Sequence, residues 1–549
     1  MAYFKDKVVY QIYPKSFYDS NGDGVGDIRG ITLKLDYLAD LGVDYLWLTP
    51  VFPSPQKDNG YDVADYCAID PLFGRMEDLQ ELIAAAENKG IGIMLDMVFN
   101  HTSTEHIWFQ KALAGDLKYQ DYYIFREGKP DQPPTNWQSK FGGSAWEYEK
   151  KLGKWYLHLF DVTQADLNWD NPAVREELKK VVRFWKQKGV KGFRFDVVNL
   201  ISKPAVFEND DQGDGRRFYT DGPNIHEYLK ELVRDTQIED MVTVGEMSST
   251  TLDNCIRYSD PAEKELSMCF NFHHLKVDYK NGNKWELMPA DRMALKQLFE
   301  TWQIGMQNGN GWNALFWCNH DQPRIVSRLG SEGDYHKQSA KMLAAMIHLL
   351  RGTPYIYQGE EIGMTNPHYT DIAQYLDVES LNYYQILLQE GKTAQQALQV
   401  LAARSRDNSR TPMQWSAAEF AGFSEGGAWL SLADNYQQIN VEAALADEDS
   451  IYAFYRKLIK LRKEKQIIAE GEIHFLEKMN SEVFAYQRTW GDEELVVLNN
   501  LTAEAITIPA QLKWQDYEKL LGNYAGDWSL TADKMMLKPY ECLVLYQAK

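Results

Sequence analysis

GIMLDMVFNH at residues 92–101 and GFRFDVVNL at residues 192–200 read alike: each opens on glycine, runs through apolar residues, and carries one aspartate, Asp96 or Asp196. A short apolar run of this kind is a strand buried on both faces, as parallel sheets require. Six more occur, VVYQIYP (8–14), YLWLTP (45–50), MVTVGEM (241–247), CFNF (269–272), ALFWCNH (314–320) and TPYIYQG (353–359). Between them lie helical patterns such as ITLKLDYLADLG (31–42), MEDLQELIAAAENKG (76–90) and NPAVREELKKVVRFWKQKG (171–189). The last has Asp170 and Asn171 available as caps and Pro172 in its first turn. Eight strand–helix units in succession predict an α/β fold, a parallel sheet closed into a (β/α)8 TIM barrel.

Two gaps exceed ordinary connections. Residues 102–170, rich in Trp, Tyr, Gly and Lys, predict an inserted domain after the third strand, and residues of about 365–440 form a second insertion after the eighth. Beyond a helix at 451–465 the pattern changes to alternating strands, VFAYQRTW, ELVVLNN and ECLVLYQ, which predict an antiparallel C-terminal β-sandwich. The expected division is therefore barrel (1–101), inserted domain (102–170), barrel with its late insertion (171–468) and C-terminal domain (469–549).

The chain of 549 residues carries 58 Lys and Arg against 79 Asp and Glu, a formal charge of −21, which disfavours nucleic acid as a partner. Five scattered cysteines without a C-x-x-C pair argue against a disulfide framework or a cysteine zinc site. No apolar run reaches about 18 residues, and the first residues do not resemble a signal peptide. The expectation is a cytoplasmic monomer with no membrane partner and no organic cofactor.

Reactive groups of such a barrel gather where its strands end, and four runs end in acids: Asp96, Asp196, Glu246 and Asp321. Two carboxyl groups held in opposite protonation states are what glycosidic cleavage needs. Arg194 lies two positions before Asp196, on the same strand face, and favours its ionised form, which suits a nucleophile. Glu246 has no cation beside it in sequence; desolvation and neighbouring carboxylates should keep it protonated as the acid.

DMVFNH, GFRFDVVNL, VGEM and FWCNHD, in this order, resemble the signature regions of the α-amylase superfamily, glycoside hydrolase family 13, and QADLN (164–168) is similar to a segment of its oligo-1,6-glucosidase subgroup. The resemblance implies a retaining hydrolase with Asp196 as nucleophile, Glu246 as acid/base and Asp321 as transition-state stabiliser, the first two carboxyls about 5–5.5 Å apart. It further implies a subsite for one terminal glucose, built from Asp58, Tyr61, His101, Phe141, Gln164, Arg194, His320 and Arg410. An Asp58–Arg410 pair would close it and make the enzyme exo-acting. Val197 resembles members that avoid α-1,4 bonds.

Residues 19–27, DSNGDGVGD, place oxygen ligands at alternate positions: Asp19, Asn21, Asp23 and Asp27 through side chains and Val25 through its carbonyl. The pattern resembles the first part of an EF-hand loop, though Gly30 replaces its final glutamate, and similar loops in related glucosidases imply structural Ca²⁺.

Long stretches, among them NWQSKFGGSAW (136–146), QGDGRRFYTDGP (212–223) and SRDNSRTPMQW (405–415), resemble family members whose substrate is a phosphorylated disaccharide. Such a substrate needs cations at the cleft of an acidic protein, and FNFHHLKVDYKNGNKW (270–285) supplies Lys276 and Lys284, with His273 second and Lys140 of the inserted domain a further candidate. The competing reading is an oligo-1,6-glucosidase or dextran glucosidase, which shares the carboxylates without needing these lysines. A sucrose isomerase, which would need a different rim for the leaving sugar and usually a secretion signal, and a non-catalytic transporter subunit, which carries a membrane helix and lacks a complete carboxylate set, both fit this sequence less well.

Overall fold

The computed structural model describes residues 4–509, 514–526, 528–530 and 534–548. Eight strands, β1 (Val9–Ile12), β2 (Tyr45–Leu48), β3 (Gly92–Met97), β4 (Gly192–Phe195), β5 (Val242–Glu246), β6 (Met268–Phe270), β7 (Ala314–Leu315) and β8 (Thr353–Tyr357), form one parallel sheet in the order β6-β5-β4-β3-β2-β1-β8-β7. A single parallel bridge between Cys269 and Asn313 closes it into the expected barrel. Most strands are shorter than their apolar runs, and residues just past some of them, such as Asp196 after β4, line the site. In ALFWCNH only two residues pair as strand.

Trp47, Phe270 and Tyr355 pack edge-to-face or tilted inside the barrel, with centroids 4.6–6.1 Å apart, and form an aromatic floor. Outside, the helix Pro172–Gln187 starts as its sequence predicts: Asn171 Oδ1 accepts from Ala173 N at 2.9 Å, and Pro172 occupies the first turn. The single helix expected over residues 31–42 is instead two, Ile28–Leu33 and Leu35–Leu41, because Lys34 leaves helical geometry (φ −103°, ψ 7°).

Between β3 and β4 stand a two-stranded pairing of His101–Ser103 with Gln164–Asp166 and a three-stranded antiparallel sheet, Phe125–Glu127, Lys154–Leu157 and Trp146–Glu149. After β8 come the helices Val378–Gln389, Ala394–Arg404 and Asp407–Arg410. The chain ends in antiparallel sheets of five and three strands around Val483, Val496, Trp514, Leu537 and Leu545. All five cysteines are free, and no helix among the described residues is long and apolar enough to cross a membrane.

Candidate active site

A cavity of about 250 Å³ opens where the barrel strands end. Asp196, Glu246 and Asp321 all line it, together with Asp58, Tyr61, His101 and Phe141. Strand register explains the meeting of the first two. Val244 of β5 pairs with Arg194 of β4, so two residues further on Glu246 comes level with Asp196. Gly245 just before it leaves room for its neighbours: a Cβ there would lie 2.5 Å from Met247 Cε and 2.6 Å from Leu266 Cδ1, so those side-chain ends would have to shift.

Arg194 lies beneath both carboxyls, over the Trp47 ring. Its Nη1 donates to Asp196 Oδ1 at 2.6 Å and to Asp96 Oδ1 at 2.7 Å, and its Nη2 contacts Glu246 Oε2. This corrects the expectation that Glu246 has no neighbouring cation: the cation reaches it across the sheet rather than along the chain. Three carboxyl groups share one guanidinium, so the fully ionised cluster carries −2, and a proton on one of them is favoured. Asp96 is pushed up to about 7 by burial and by Asp196, against the lowering effect of Arg194. It also accepts from Tyr61 Oη at 2.9 Å and Trp47 Nε1 at 3.1 Å. Val197, directly after Asp196, lines the cavity with φ +34°, a conformation that β-branched residues rarely adopt.

The closed end of the cavity also differs from expectation. Asp58 pairs with Arg406, whose Nη2 is 2.9 Å from Asp58 Oδ1, and not with Arg410. Arg410 points instead to Asp321 (2.7 Å), the His320 carbonyl (2.8 Å) and Asp377 (3.4 Å). The two arginines, one capping the start of the short helix Asp407–Arg410 and the other its last residue, stand four positions apart on one face, and Arg406 is the one that reaches the cavity. Arg406 also engages Asp377 at 2.5 Å and lies 4.7 Å over the Phe141 ring. Burial raises the Asp58 carboxyl to about 7 in spite of both arginines.

Burial alone would raise Asp321 as well, but His320, Arg406, Arg410 and Lys284 together hold it well below the usual carboxylate range. His320 is itself lowered to about 3, chiefly by burial, so it is neutral at pH 7 and the cationic side chains carry that effect. The imidazole stacks on Tyr61 at 5.0 Å and its Nδ1 bonds Gln11 Nε2 at 2.8 Å, which places it in the wall behind the cavity. Gln164 likewise lies behind the cavity, its Nε2 donating to Asp58 Oδ2 (3.0 Å) and the Tyr61 carbonyl (3.1 Å).

Of the candidate phosphate ligands, Lys276 and Lys284 line the cavity, as does Lys140. His273 does not: its Nε2 engages the Thr250 carbonyl at 2.9 Å and its ring stacks on Trp302 at 5.1 Å, so the histidine serves the loop's own packing. Lys284 is paired with Glu379 at 2.6 Å. Arg406, Glu379 and Asp377 were not singled out from sequence. The SRDNSR segment offers two equivalent arginines, and nothing local marks Glu379 or Asp377.

In the 19–27 loop, Asp19 accepts from the amides of Asn21, Gly22 and Gly24 and from Ser424 Oγ, and Asp27 from Ser20 and Gly30 N. Asn21 and Asp23 each accept from the amide two residues on. The side-chain oxygens thus fold the loop onto its own amides, and among the described residues no three His, Cys, Asp or Glu side chains converge as a metal cluster. What fits a hard cation is the oxygen-only donor set.

Residues 11–471 match the family model for the α-amylase catalytic domain, and residues 483–544 match the α-amylase SusG C-terminal domain. The chain therefore belongs to the α-amylase family and is a glycoside hydrolase. It is 55% identical to the trehalose-6-phosphate hydrolase of Escherichia coli (strain K12), covering 98% of each chain, and 45% identical to the oligo-1,6-glucosidase of Bacillus cereus, covering 99% of each. The crystal structure of the trehalose-6-phosphate hydrolase of Bacillus licheniformis, 53% identical, superposes over 100% of both chains with a TM-score of 0.95.

Proposed function

We propose that this protein hydrolyses trehalose 6-phosphate to glucose and glucose 6-phosphate as a retaining, exo-acting α-glucosidase. The observation that carries the reading is one cavity holding Asp196, Glu246 and Asp321 together with three lysines, in a chain whose formal charge is −21. Relatives that bear the name trehalose-6-phosphate hydrolase support it.

In this reading Asp196 attacks the anomeric carbon while Glu246 gives its proton to the departing glycosidic oxygen, which leaves as the hydroxyl of glucose 6-phosphate. A glucosyl ester on Asp196 results. Glu246, now ionised, takes a proton from water as the water attacks that carbon, releasing glucose and restoring both carboxyls. Asp321, held ionised among arginines, faces the positive charge that develops on the sugar ring. The Asp58–Arg406 pair closes the pocket behind one glucose, which supports exo action. The cavity lysines, Lys276 and Lys284 among them, are the candidate phosphate contacts, and the 19–27 loop is assigned to structural Ca²⁺.

Side-by-side hydrolysis of trehalose 6-phosphate, trehalose and isomaltose tests the reading. Preference for the phosphorylated sugar by two orders of magnitude or more in kcat/KM is expected, and preference for isomaltose would assign the chain to the α-1,6-glucosidases instead.

A further inference from the structure

The cations around the cavity are not equivalent. Lys284 is neutralised by Glu379 at 2.6 Å, and Arg216, outside the cavity lining, by Asp214 through Nε and Nη2 at 3.0 and 2.6 Å. Lys140 is different. It extends from a pinned turn of the inserted domain, where Lys140 N donates to the Leu159 carbonyl (2.9 Å), Ser139 Oγ to the Phe160 carbonyl (2.6 Å) and Phe141 N to Ser139 Oγ (3.1 Å). Its Nζ has one hydrogen bond among the described residues, to the hydroxyl of Ser248 at 3.0 Å. Ser248 lies two residues past Glu246 and is itself held by Asn199 through a reciprocal pair of 2.9 and 2.8 Å.

The charged groups that act on Lys140 are two cations and two carboxylates, and each carboxylate already has a cationic partner of its own. Arg216 and Lys276 repel it, Asp214 is already bound to Arg216, and Asp166 is bound to Lys203 at 2.8 Å. Tyr219, whose ring centroid is 5.8 Å away, adds no counter-charge. Burial and these cations lower the lysine to about 7. Lys276, also in the cavity wall, is lowered by burial and by Arg216. Among the described residues neither ammonium group has a carboxylate in ion-pair contact, and both line the one cavity, Lys140 beside Ser248, two residues past Glu246. With both protonated, as a bound anion favours, their charge of +2 matches a sugar phosphate of about −1.5 to −2.

We infer that Lys140 of the inserted domain and Lys276 of the barrel rim clamp the phosphate of the leaving sugar between them, and that Lys140 is a determinant of the preference for a phosphorylated substrate. This rests on the proposed function. It departs from the pairing of Lys276 with Lys284, because Glu379 already occupies Lys284. The clamp joins two domains across the cleft, so the phosphate would also hold the inserted domain against the strand end that carries Glu246.

The test compares wild type, Lys140→Met and Lys140→Arg on trehalose 6-phosphate and on p-nitrophenyl α-glucopyranoside, whose leaving group has no phosphate, with glucose 6-phosphate as a competitive inhibitor. Lys140→Met is expected to raise KM for trehalose 6-phosphate and Ki for glucose 6-phosphate about ten- to a hundredfold, at least tenfold more than any change on the aryl glucoside, with partial recovery in Lys140→Arg. Equal losses on both substrates would reduce Lys140 to a prop for Ser248 and overturn the inference, as would a KM for the phosphorylated sugar within twofold of wild type. A wild-type enzyme that cleaves the aryl glucoside but not trehalose 6-phosphate would instead overturn the proposed function itself.

Discussion

The Asp58–Arg406 pair is the sharpest point at which the structure parts from the sequence, and a double-mutant cycle measures it. The perturbations are Asp58→Asn, Arg406→Met and Arg410→Met, singly and with Asp58→Asn combined with each arginine change. Asp58 and Arg406 are 3% and 5% exposed and meet at 2.9 Å, so the pair is screened little by water. At an effective dielectric of about 20, unit charges about 4 Å apart attract by roughly 4 kcal/mol, and contacting residues show measured couplings of about 0.5–3 kcal/mol. Arg406 has other partners in Asp377 and Asp321, so removing Asp58 leaves it compensated, and a coupling of about 2 kcal/mol is expected. Asp58 is raised to about 7, which means that the pair is fully charged only above that pH. The cycle therefore belongs at pH 8, with kcat/KM on p-nitrophenyl α-glucopyranoside and urea unfolding as the two readouts. At pH 6, where Asp58 is mostly neutral, the coupling should shrink. For Asp58 with Arg410, which do not touch but share the network through Asp377 and Asp321, a smaller coupling than with Arg406 is expected. A larger coupling to Arg410 than to Arg406 would refute the structural assignment and restore the pairing expected from sequence.

Glu246→Gln should lower kcat on trehalose 6-phosphate by about 10²–10⁴-fold, and Asp196→Ala by at least as much; ordinary turnover by either variant in a stopped assay would remove the assigned roles. Because Lys140 is lowered to about 7, it is cationic below that pH and neutral above it, so KM for the phosphorylated sugar should rise between pH 7 and pH 9 while KM for the aryl glucoside does not follow. Bound phosphate favours the charged lysine, so binding at pH 8 should take up protons, measurable by calorimetry in buffers of different ionisation enthalpy. If the 19–27 loop binds Ca²⁺, a calcium concentration a hundredfold above Kd stabilises the fold by about 2.7 kcal/mol, and differential scanning calorimetry should show a higher Tm than in EGTA; coincident curves would count against the site.

Strands, and the acids at their ends, were legible because both depend on local pattern. A buried parallel strand needs an uninterrupted apolar run, and the residue that ends the run faces the barrel mouth, so Asp196, Glu246 and Asp321 could be read in place. The Arg194–Asp196 contact was legible for the same reason, since two residues on one strand share a face. What failed depended on register or on a choice between equals. No pattern within VGEM announces Arg194, because that guanidinium arrives from the neighbouring strand. SRDNSR holds two arginines on one helical face, and only the position of the helix against Asp58 decides between them. His273 looked cationic and available in FNFHHLKVDY, yet its ring is taken up by Trp302 and the Thr250 carbonyl.

The same distinction orders the lysines. Counting cations along the chain selects Lys276 and Lys284, which lie in one segment, whereas counting the charges left without a counter-ion selects Lys276 and Lys140, which come from different domains. Net charge near the cavity is a poor guide, since Glu379 and Asp214 each cancel a neighbour. An anion entering a site is attracted by charge that the protein has not already balanced, and it displaces an existing carboxylate only at the cost of leaving that carboxylate buried and unpaired. Glu379 is in that position: its side chain is 10% exposed, and Arg406 Nε, at 3.6 Å, is its other cationic neighbour. A phosphate that took Lys284 from it would need Arg406 to move closer, away from Asp58, and so would loosen the closed end of the glucose pocket. A phosphate held by Lys140 and Lys276 makes no such demand, and both ends of the substrate can then be gripped at once.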